Sequence, residues 1–136
     1  MLVVNKTIAN NLPATGDGKC PMVDFNQFQD LPFVALSQGQ ELRQLFDKLC
    51  IAADFHPIIA AEVMGVTSAL TMAQAGVGAT ILPLQFVYNQ HVDNNLSIYT
   101  VKNSIYSRQP VIVTRRGQFR TPYADFAIRL LTEREP

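Results

Sequence analysis

Residues 31–83 alternate between short apolar runs and longer amphipathic stretches, and this alternation constrains the fold more than any other feature of the sequence. The apolar runs at 33–36, 58–63 and 79–82 have the length and composition of buried strands, and the stretches between them have helical periodicity. This order predicts an α/β fold with a mixed, mostly parallel sheet and flanking helices. Ligands of such folds bind beyond the carboxyl ends of the strands, so we expect a binding site at that edge.

The stretch 37–53 is the clearest predicted helix, because its apolar residues recur every three or four positions. These residues are Leu42, Leu45, Phe46, Leu49 and Ala53. Ser37, followed three residues later by Gln40, fits a capping box and predicts Ser37 as the N-cap. Arg43 and Asp47 are expected to lie on the solvated face of this helix.

The remaining predicted elements are shorter. A second helix is predicted from about Gly65, and Gly76 suits the left-handed position just after its end. Buried strands are predicted at 2–4 and 111–114, a half-exposed strand at 96–101, and short helices at 23–30 and 83–89. Thr121 and Pro122 mark the N-cap and the first residue of a terminal helix. The apolar face of that helix comprises Tyr123, Phe126, Ala127, Leu130 and Leu131.

The charge balance argues against nucleic-acid binding by the chain itself. The 136 residues include 11 Lys and Arg against 11 Asp and Glu, with no basic run longer than Arg115-Arg116. No apolar run approaches about 20 residues, so we expect no membrane span. The apolar start at 1–4 is too short for a signal peptide, so we expect a cytoplasmic location.

Neither the cysteines nor the histidines form a reactive cluster in the sequence. Cys20 and Cys50 lack CxxC spacing and a nearby histidine cluster, so we predict two free thiols, with Cys20 exposed, and no metal site. A disulfide between them is the alternative. His56 and His91 are isolated, and the sequence contains no G-x-S-x-G motif. We therefore predict no catalytic residues and no cofactor.

Three sequence patterns resemble the effector-binding domain of LysR-type transcriptional regulators. The first is a strand, a turn containing serine and glycine, and a helix with Leu-Arg, at residues 33–43. The second is the segment around His56-Pro57, at residues 54–63. The third is Ala-Gly-x-Gly-x-x-x-x-Pro, at residues 75–83. Their order and spacing fit the family, and the tail, with its predicted strand and terminal helix, is also similar.

The resemblance implies a type II periplasmic-binding-protein-like subdomain. In the family, two α/β subdomains face each other across a cleft and are joined by two crossover strands. Residues 4–96 would form the second subdomain, and residues 97–136 would return to the first. Most of the first subdomain and the helix-turn-helix DNA-binding domain would be missing. We therefore expect either self-association through the unpartnered terminal helix or rearrangement of the C-terminal segment. Peroxide-sensing members have a reactive cysteine where this chain has Glu41, so that switch is not expected.

The start of the first helix is the candidate ligand site. A helix N-terminus has unpaired N–H groups and partial positive charge, so a small carboxylate or another anion can bind there. Ser37 and Gln38 would add hydrogen bonds, Gly39 leaves room for a close approach, and matching family positions often contact the effector. Thr67, at the start of the second helix, is expected to face the same cleft. The alternative is that Ser37 and Thr67 only cap their helices.

The leading hypothesis from the resemblance is a non-enzymatic, effector-sensing part of a LysR-type regulator. It would bind a small, anionic metabolite, form a homo-oligomer, and reach DNA only through the missing helix-turn-helix domain. A stand-alone small-solute-binding protein of the same fold is one alternative, although it would need a secretory signal. A small α/β enzyme is the other, although it would need a convergent catalytic set.

Overall fold

The computed structural model describes residues 1–9, 12, 20–90, 94–102, 111–117 and 119–132. The chain divides into two compact units, Met1–Ile105 and Tyr106–Pro136. The predicted loop at 10–19 falls almost entirely outside the described residues, as does His91.

The first unit alternates strands and helices in the predicted order. Its strands are β1 (Leu2–Asn5), β2 (Met22–Val23), β3 (Pro32–Leu36), β4 (Ile58–Val63), β5 (Thr80–Ile81) and β6 (Leu96–Val101). Its helices are α1 (Glu41–Ala52), α2 (Val66–Gln74) and α3 (Leu84–Asn89), and a 3-10 helix spans Phe25–Phe28. The predicted α/β class is confirmed.

The strands pair in a mixed arrangement. β3 and β4 pair in parallel, whereas β1 lies between β5 and β6 and runs antiparallel to both. β2 extends this second sheet in parallel beyond β6. Ala79 joins the two sheets, because its N–H donates to the carbonyl of Pro32 and its own carbonyl accepts from the N–H of Val34, both at 2.8 Å.

Strand β3 is buried on both faces because its alternate residues point into two different cores. Phe33 and Ala35 belong to a core rich in aromatic side chains, while Val34 and Leu36 belong to an aliphatic core. The aromatic core includes Phe25, Phe28, Phe33, Phe46, Phe55 and Tyr99. Burial on both faces explains why the sequence of β3 is continuously apolar rather than alternating.

Helix α1 begins later than the capping-box pattern predicts. Its N-cap is Gln40, which makes no side-chain capping bond, so the prediction of Ser37 as N-cap is wrong. Gly39, with φ of +87°, turns the chain before the helix can start. At the other end, Asp54 adopts a left-handed φ of +56°, and the N–H of Phe55 donates to the carbonyl of Cys50 at 3.2 Å. This is a Schellman ending with aspartate where glycine is usual.

Helix α2 ends as the sequence predicts. Gly76 has φ of +78°, and the N–H of Val77 donates to the carbonyl of Met72 at 3.0 Å, which completes a Schellman motif. Gly78 has a different role, because a Cβ atom there would lie 2.7 Å from the carbonyl oxygen of Pro32. The backbone of residue 78 therefore approaches β3 closely enough to exclude any side chain.

Two predictions about the first unit need correction. β6 has the predicted bounds but is mostly buried rather than half-exposed, because it lies between β1 and β2 and contributes to both cores. The predicted helix at 23–30 is a single 3-10 turn with Phe25 and Phe28 buried, and its first residue belongs to β2.

The second unit contains one described helix, α4 (Pro122–Thr132). The hydroxyl of Thr121 accepts a hydrogen bond from the N–H of Ala124 at 3.2 Å, so the predicted N-cap and the proline at the first helical position are confirmed. The predicted buried strand at 111–114 is wrong, since these residues are exposed and pair with no described strand. Without a partner strand, the backbone N–H and C=O groups of a short apolar segment have no sheet hydrogen bonds to form.

Candidate functional site

Two loops lie at the carboxyl ends of neighbouring parallel strands. Residues 37–40 connect β3 to α1 and are called the Ser37 turn; residues 64–65 connect β4 to α2 and are called the Gly65 loop. Leu36 and Val63, the last residues of β3 and β4, are register partners. Because the strands are parallel and in register, both loops and the N-termini of both helices lie at one edge of the sheet.

Gly39 determines the shape of the Ser37 turn. The N–H of Gln40 donates to the carbonyl of Ser37 at 3.3 Å, and the positive φ of Gly39 fits the third position of a type II turn. A Cβ atom at Gly39 would meet nothing within 4 Å, so the space beside the turn is open. Gln38 and Gly39 are exposed, whereas Ser37 is half-buried.

Hydrogen bonds tie the Ser37 turn to the end of β4. The N–H and the hydroxyl of Ser37 both donate to the carbonyl oxygen of Val63, at 2.9 and 3.2 Å. The side-chain amide of Gln40 donates to the carbonyl of Met64 at 2.7 Å. Ser37 therefore attaches its turn to the end of β4 rather than capping a helix.

The two helix N-termini at this edge have no side-chain caps. The N-cap residues Gln40 and Gly65 make no capping hydrogen bond through a side chain. No N-cap side chain therefore bonds to the first turn of either helix, and the helix dipole favours a negative charge there. The carboxylate of Glu41, in the first turn of α1, partly offsets this positive character.

Thr67 lies in the first turn of α2 with an exposed side chain. Its carbonyl accepts a hydrogen bond from the hydroxyl of Thr71 at 3.1 Å. The N-cap of α2 is Gly65, so Thr67 does not occupy the capping position. The pairing of β3 with β4 places Thr67 and Ser37 at the same edge of the sheet. The hydrogen bonds of the described residues do not join these two side chains directly.

Arg43 is the residue at this edge that sequence reasoning missed. We expected it on the solvated face of α1, but it is only 7% exposed. Its Nε donates to Asp47 at 2.9 Å, and its Nη1 donates to the Glu62 carboxylate at 3.0 Å and to the Leu36 carbonyl at 3.1 Å. The hydrogen bond to Asp47 raises the pKa of the guanidinium, so Arg43 stays charged. Glu62 is distant in sequence, so no local pattern reveals this burial.

The cysteines are free, as predicted. Cys20 is half-buried rather than exposed, and Cys50 is buried on α1. Burial raises the pKa of the Cys50 thiol from 9.0 to about 12, which makes it a poor nucleophile at neutral pH. Cys50 also lines a shallow cleft of about 330 Å³ at the C-terminal end of α1, away from the Ser37 turn.

The described part of the chain contains neither a cluster of metal-ligating side chains nor a helix that could span a membrane. In these ranges, no three or more His, Cys, Asp or Glu side chains are grouped so that they could hold a metal ion. None of the described helices is both long enough and apolar enough to cross a membrane.

Solved structures with similar folds include effector and regulatory domains. The effector binding domain of QuiR in complex with shikimate matches with a TM-score of 0.61 at 17% identity, over 99% of this chain and 62% of that chain. The Synechocystis PCC6803 CcmR regulatory domain in complex with 2-PG matches with a TM-score of 0.69 at 12% identity, over 97% and 60%. CbnR, a LysR family transcriptional regulator, matches with a TM-score of 0.55 at 17% identity, over 74% and 32%. These identities establish the fold alone.

The chain spans about three fifths of the length of the first two of these solved domains. No curated protein sequence matches it significantly. The predicted type II periplasmic-binding-protein-like fold is confirmed by these structural matches together with the family model. That family model, described as the LysR substrate binding domain, matches residues 10–136, so the chain belongs to the LysR substrate-binding domain family.

Proposed function

We propose that this chain is the effector-sensing part of a LysR-type transcriptional regulator. It binds a small anionic metabolite at the edge formed by the Ser37 turn and the Gly65 loop. The observation that supports this most strongly is the pair of hydrogen bonds from Ser37 to Val63, which hold two uncapped helix N-termini side by side. Membership of the LysR substrate-binding domain family is the second support.

The chemistry of the edge favours an anion. The N–H groups in the first turns of α1 and α2 point toward this edge, where a carboxylate or phosphoryl oxygen can accept hydrogen bonds, and both helix dipoles favour negative charge. Ser37, Gln38 and Thr67 add polar side chains, and Gly39 leaves the space beside the turn open. Two structural neighbours were solved with shikimate and with 2-PG, and shikimate is a carboxylate.

The proposal for the remaining parts of the regulator is carried over from the family. Residues 4–101 form the second subdomain of the effector domain, since β6 pairs with β1 and β2, and the second unit packs on a first subdomain that the full-length protein supplies. The length of the matched structures supports this, since about two fifths of each has no counterpart here. The full-length protein is cytoplasmic, assembles as a homo-oligomer and contacts DNA through a helix-turn-helix domain. Effector binding between the subdomains changes how the oligomer holds its operator.

The two other functions are less well supported. A stand-alone solute-binding protein would share the fold, but the matched family is that of regulator domains. A small enzyme would need a convergent catalytic set, and none can be assembled among the described residues. The buried, high-pKa thiol of Cys50 is unsuited to nucleophilic catalysis.

An anion titration followed by two-dimensional 15N–1H NMR tests the proposed site. Shikimate is the probe, and its uncharged methyl ester is the matched control. We expect dose-dependent shifts of the amide signals of Gln38, Gly39 and Thr67 with the acid and much smaller shifts with the ester. Because this chain supplies one side of the cleft, the expected affinity is weak, on the order of 1 mM.

Two outcomes would contradict the proposal. Equal shifts with acid and ester would remove the anion requirement, and shifts confined to other residues would move the site.

Sequencing upstream of the Met1 codon tests the regulator assignment separately. An in-frame helix-turn-helix and first subdomain are expected there; a stop codon or promoter in their place would favour a stand-alone binding protein.

A further inference from the structure

We infer that Arg43 is a positioning residue, which sets the geometry of the Ser37 turn through its hydrogen bonds to Leu36 and Glu62. This inference rests on the proposed binding site and adds a residue that need not touch the ligand. Arg43 lies in the first turn of α1, yet its guanidinium points back toward the end of the preceding strand and the neighbouring strand.

Arg43 contacts both strands of the β3–β4 pair. Its Nη1 donates to the carbonyl of Leu36, the residue immediately before Ser37, at 3.1 Å. The same nitrogen donates to the carboxylate of Glu62, immediately before Val63, at 3.0 Å. Val63 in turn accepts both hydrogen bonds from Ser37. One guanidinium therefore connects Leu36 to Glu62, and the next residue after each of these forms the Ser37–Val63 contact.

The geometry of a guanidinium suits this role. Its planar, rigid donors fix directions as well as distances, which a lysine ammonium does not do. The Arg43 side chain is 9% exposed, so the guanidinium is largely buried, whereas the carboxylates of Asp47 and Glu62 are partly exposed to solvent. Two carboxylates, from Asp47 and Glu62, already compensate its charge. Arg43 is thus committed to structure and is not the group that attracts an anion.

Asp47 offers a matched comparison for Glu62. Both carboxylates bond to Arg43, at 2.9 and 3.0 Å, and their side chains are exposed to similar extents, 42% and 46%. Asp47 lies on α1 itself, four residues after Arg43, and does not connect the helix to a strand. Removing Glu62 should therefore disturb the Ser37 turn, while removing Asp47 should not, although each change deletes one carboxylate from the same partner.

The test compares Glu62→Ala, Glu62→Gln and Asp47→Ala in the intact chain. With shikimate as probe, we expect Glu62→Ala to weaken binding about tenfold and Asp47→Ala by less than twofold, at equal melting temperatures. Glu62→Gln retains an acceptor oxygen and should restore most of the affinity. Equal losses for Glu62→Ala and Asp47→Ala, or no recovery with Glu62→Gln, would overturn the positioning role.

Amide hydrogen exchange in the unliganded chain separates this inference from the proposed function. We expect Glu62→Ala to raise exchange at the Ser37 N–H about tenfold more than Asp47→Ala does, because that N–H bonds to Val63. If the parent chain does not bind shikimate, the proposed function fails in its anion component, while the exchange comparison still decides the role of Arg43. Identical exchange in the two alanine variants would refute that role whatever the titration shows.

Discussion

The N–H and the hydroxyl of Ser37 both donate to the carbonyl oxygen of Val63, at 2.9 and 3.2 Å. This double contact joins the end of one parallel strand to the end of its neighbour. It gives Ser37 a role that the sequence pattern did not predict, because a serine before a helix usually bonds to its own helix. A substitution that deletes the hydroxyl would still leave the backbone hydrogen bond from residue 37 to Val63 in place.

Ser37→Ala should leave the fold intact and weaken effector binding. Loss of one hydrogen bond should lower the free energy of unfolding by about 0.5–1.5 kcal/mol. In the full-length protein, we expect a weaker effector response, measured as the effector concentration for half-maximal change in DNA binding. Thr71→Ala is the control, since it also loses a hydroxyl bond to backbone, within α2. An unchanged effector affinity in Ser37→Ala would remove Ser37 from the site.

Gly78→Ala should be strongly destabilising. The new Cβ would lie 2.7 Å from the carbonyl oxygen of Pro32, and that backbone is held in the sheet. We expect a loss of about 1–3 kcal/mol in urea denaturation. Gly65→Ala is the matched control, because its Cβ would meet only the Ser68 hydroxyl at 4.0 Å, and it should cost under about 1 kcal/mol. Similar losses for both variants would argue against the close approach at residue 78.

Asp54→Gly should stabilise the protein. Asp54 is the non-glycine residue with positive φ among the described residues, and it ends α1, where the helix dipole disfavours a carboxylate. Relief of left-handed strain exceeds the entropy cost of glycine, so we expect a gain of about 0.5–1 kcal/mol in denaturant unfolding. Asp54→Ala removes the charge but keeps the Cβ and serves as control. If Ala and Gly give the same gain, the charge rather than the backbone is responsible.

Cys50 should make stability fall at high pH. Burial raises its pKa from 9.0 to about 12, so the folded state keeps the thiol neutral where the unfolded thiol ionises. The stabilisation is fully present below pH 9 and is lost as pH rises toward 12. Denaturant unfolding at pH 8 to 10.5 should show a shallower decline for Cys50→Ala than for the parent chain. Parallel pH curves for the two proteins would contradict the raised pKa.

The apolar residues of α4 should cause the isolated chain to self-associate. Tyr123, Phe126 and Leu131 are 85%, 63% and 70% exposed. An exposed apolar face of this kind is an association surface. Sedimentation velocity over a range of concentrations should show association for the parent chain and less for Phe126→Ser. Ala124→Ser, on the same helix but outside this face, should behave like the parent; a monomeric parent chain would contradict the prediction.

The sequence predicted elements whose signals are local. The periodicity of α2, together with Gly76 just after its end, depends on neighbours within a few positions, and both features were identified correctly. The burial of β6 was missed because it depends on β1 and β2, which approach it from distant parts of the chain. For the same reason, residues 111–114 have the composition of a strand but no described partner.

The candidate site shows the same division. Ser-Gln-Gly-Gln satisfies both a capping box and a turn with glycine in its third position, and the pattern alone cannot choose between them. The choice is made by the Val63 carbonyl, which β4 brings to Ser37 from a distant position. The sequence pattern places Arg43 on the solvated face of α1, because its partner Glu62 lies on β4 and is not visible in the local pattern. The ligand-binding roles of Ser37, Gln38, Gly39 and Thr67 stay predictions.

The central position of β1 has a consequence for how the chain reaches its folded state. Leu2 pairs with Tyr99 and Ile81, so β1 completes its hydrogen bonds only after β6, which lies much later in the chain, has been synthesised. Such non-local pairing slows folding, because the loop between the partners must close before the contacts form. During that interval the apolar residues Leu2, Val3 and Val4 are exposed, and a nascent chain in this state is prone to aggregation. We therefore expect refolding yield to depend strongly on protein concentration, even though the completed sheet buries β1 entirely.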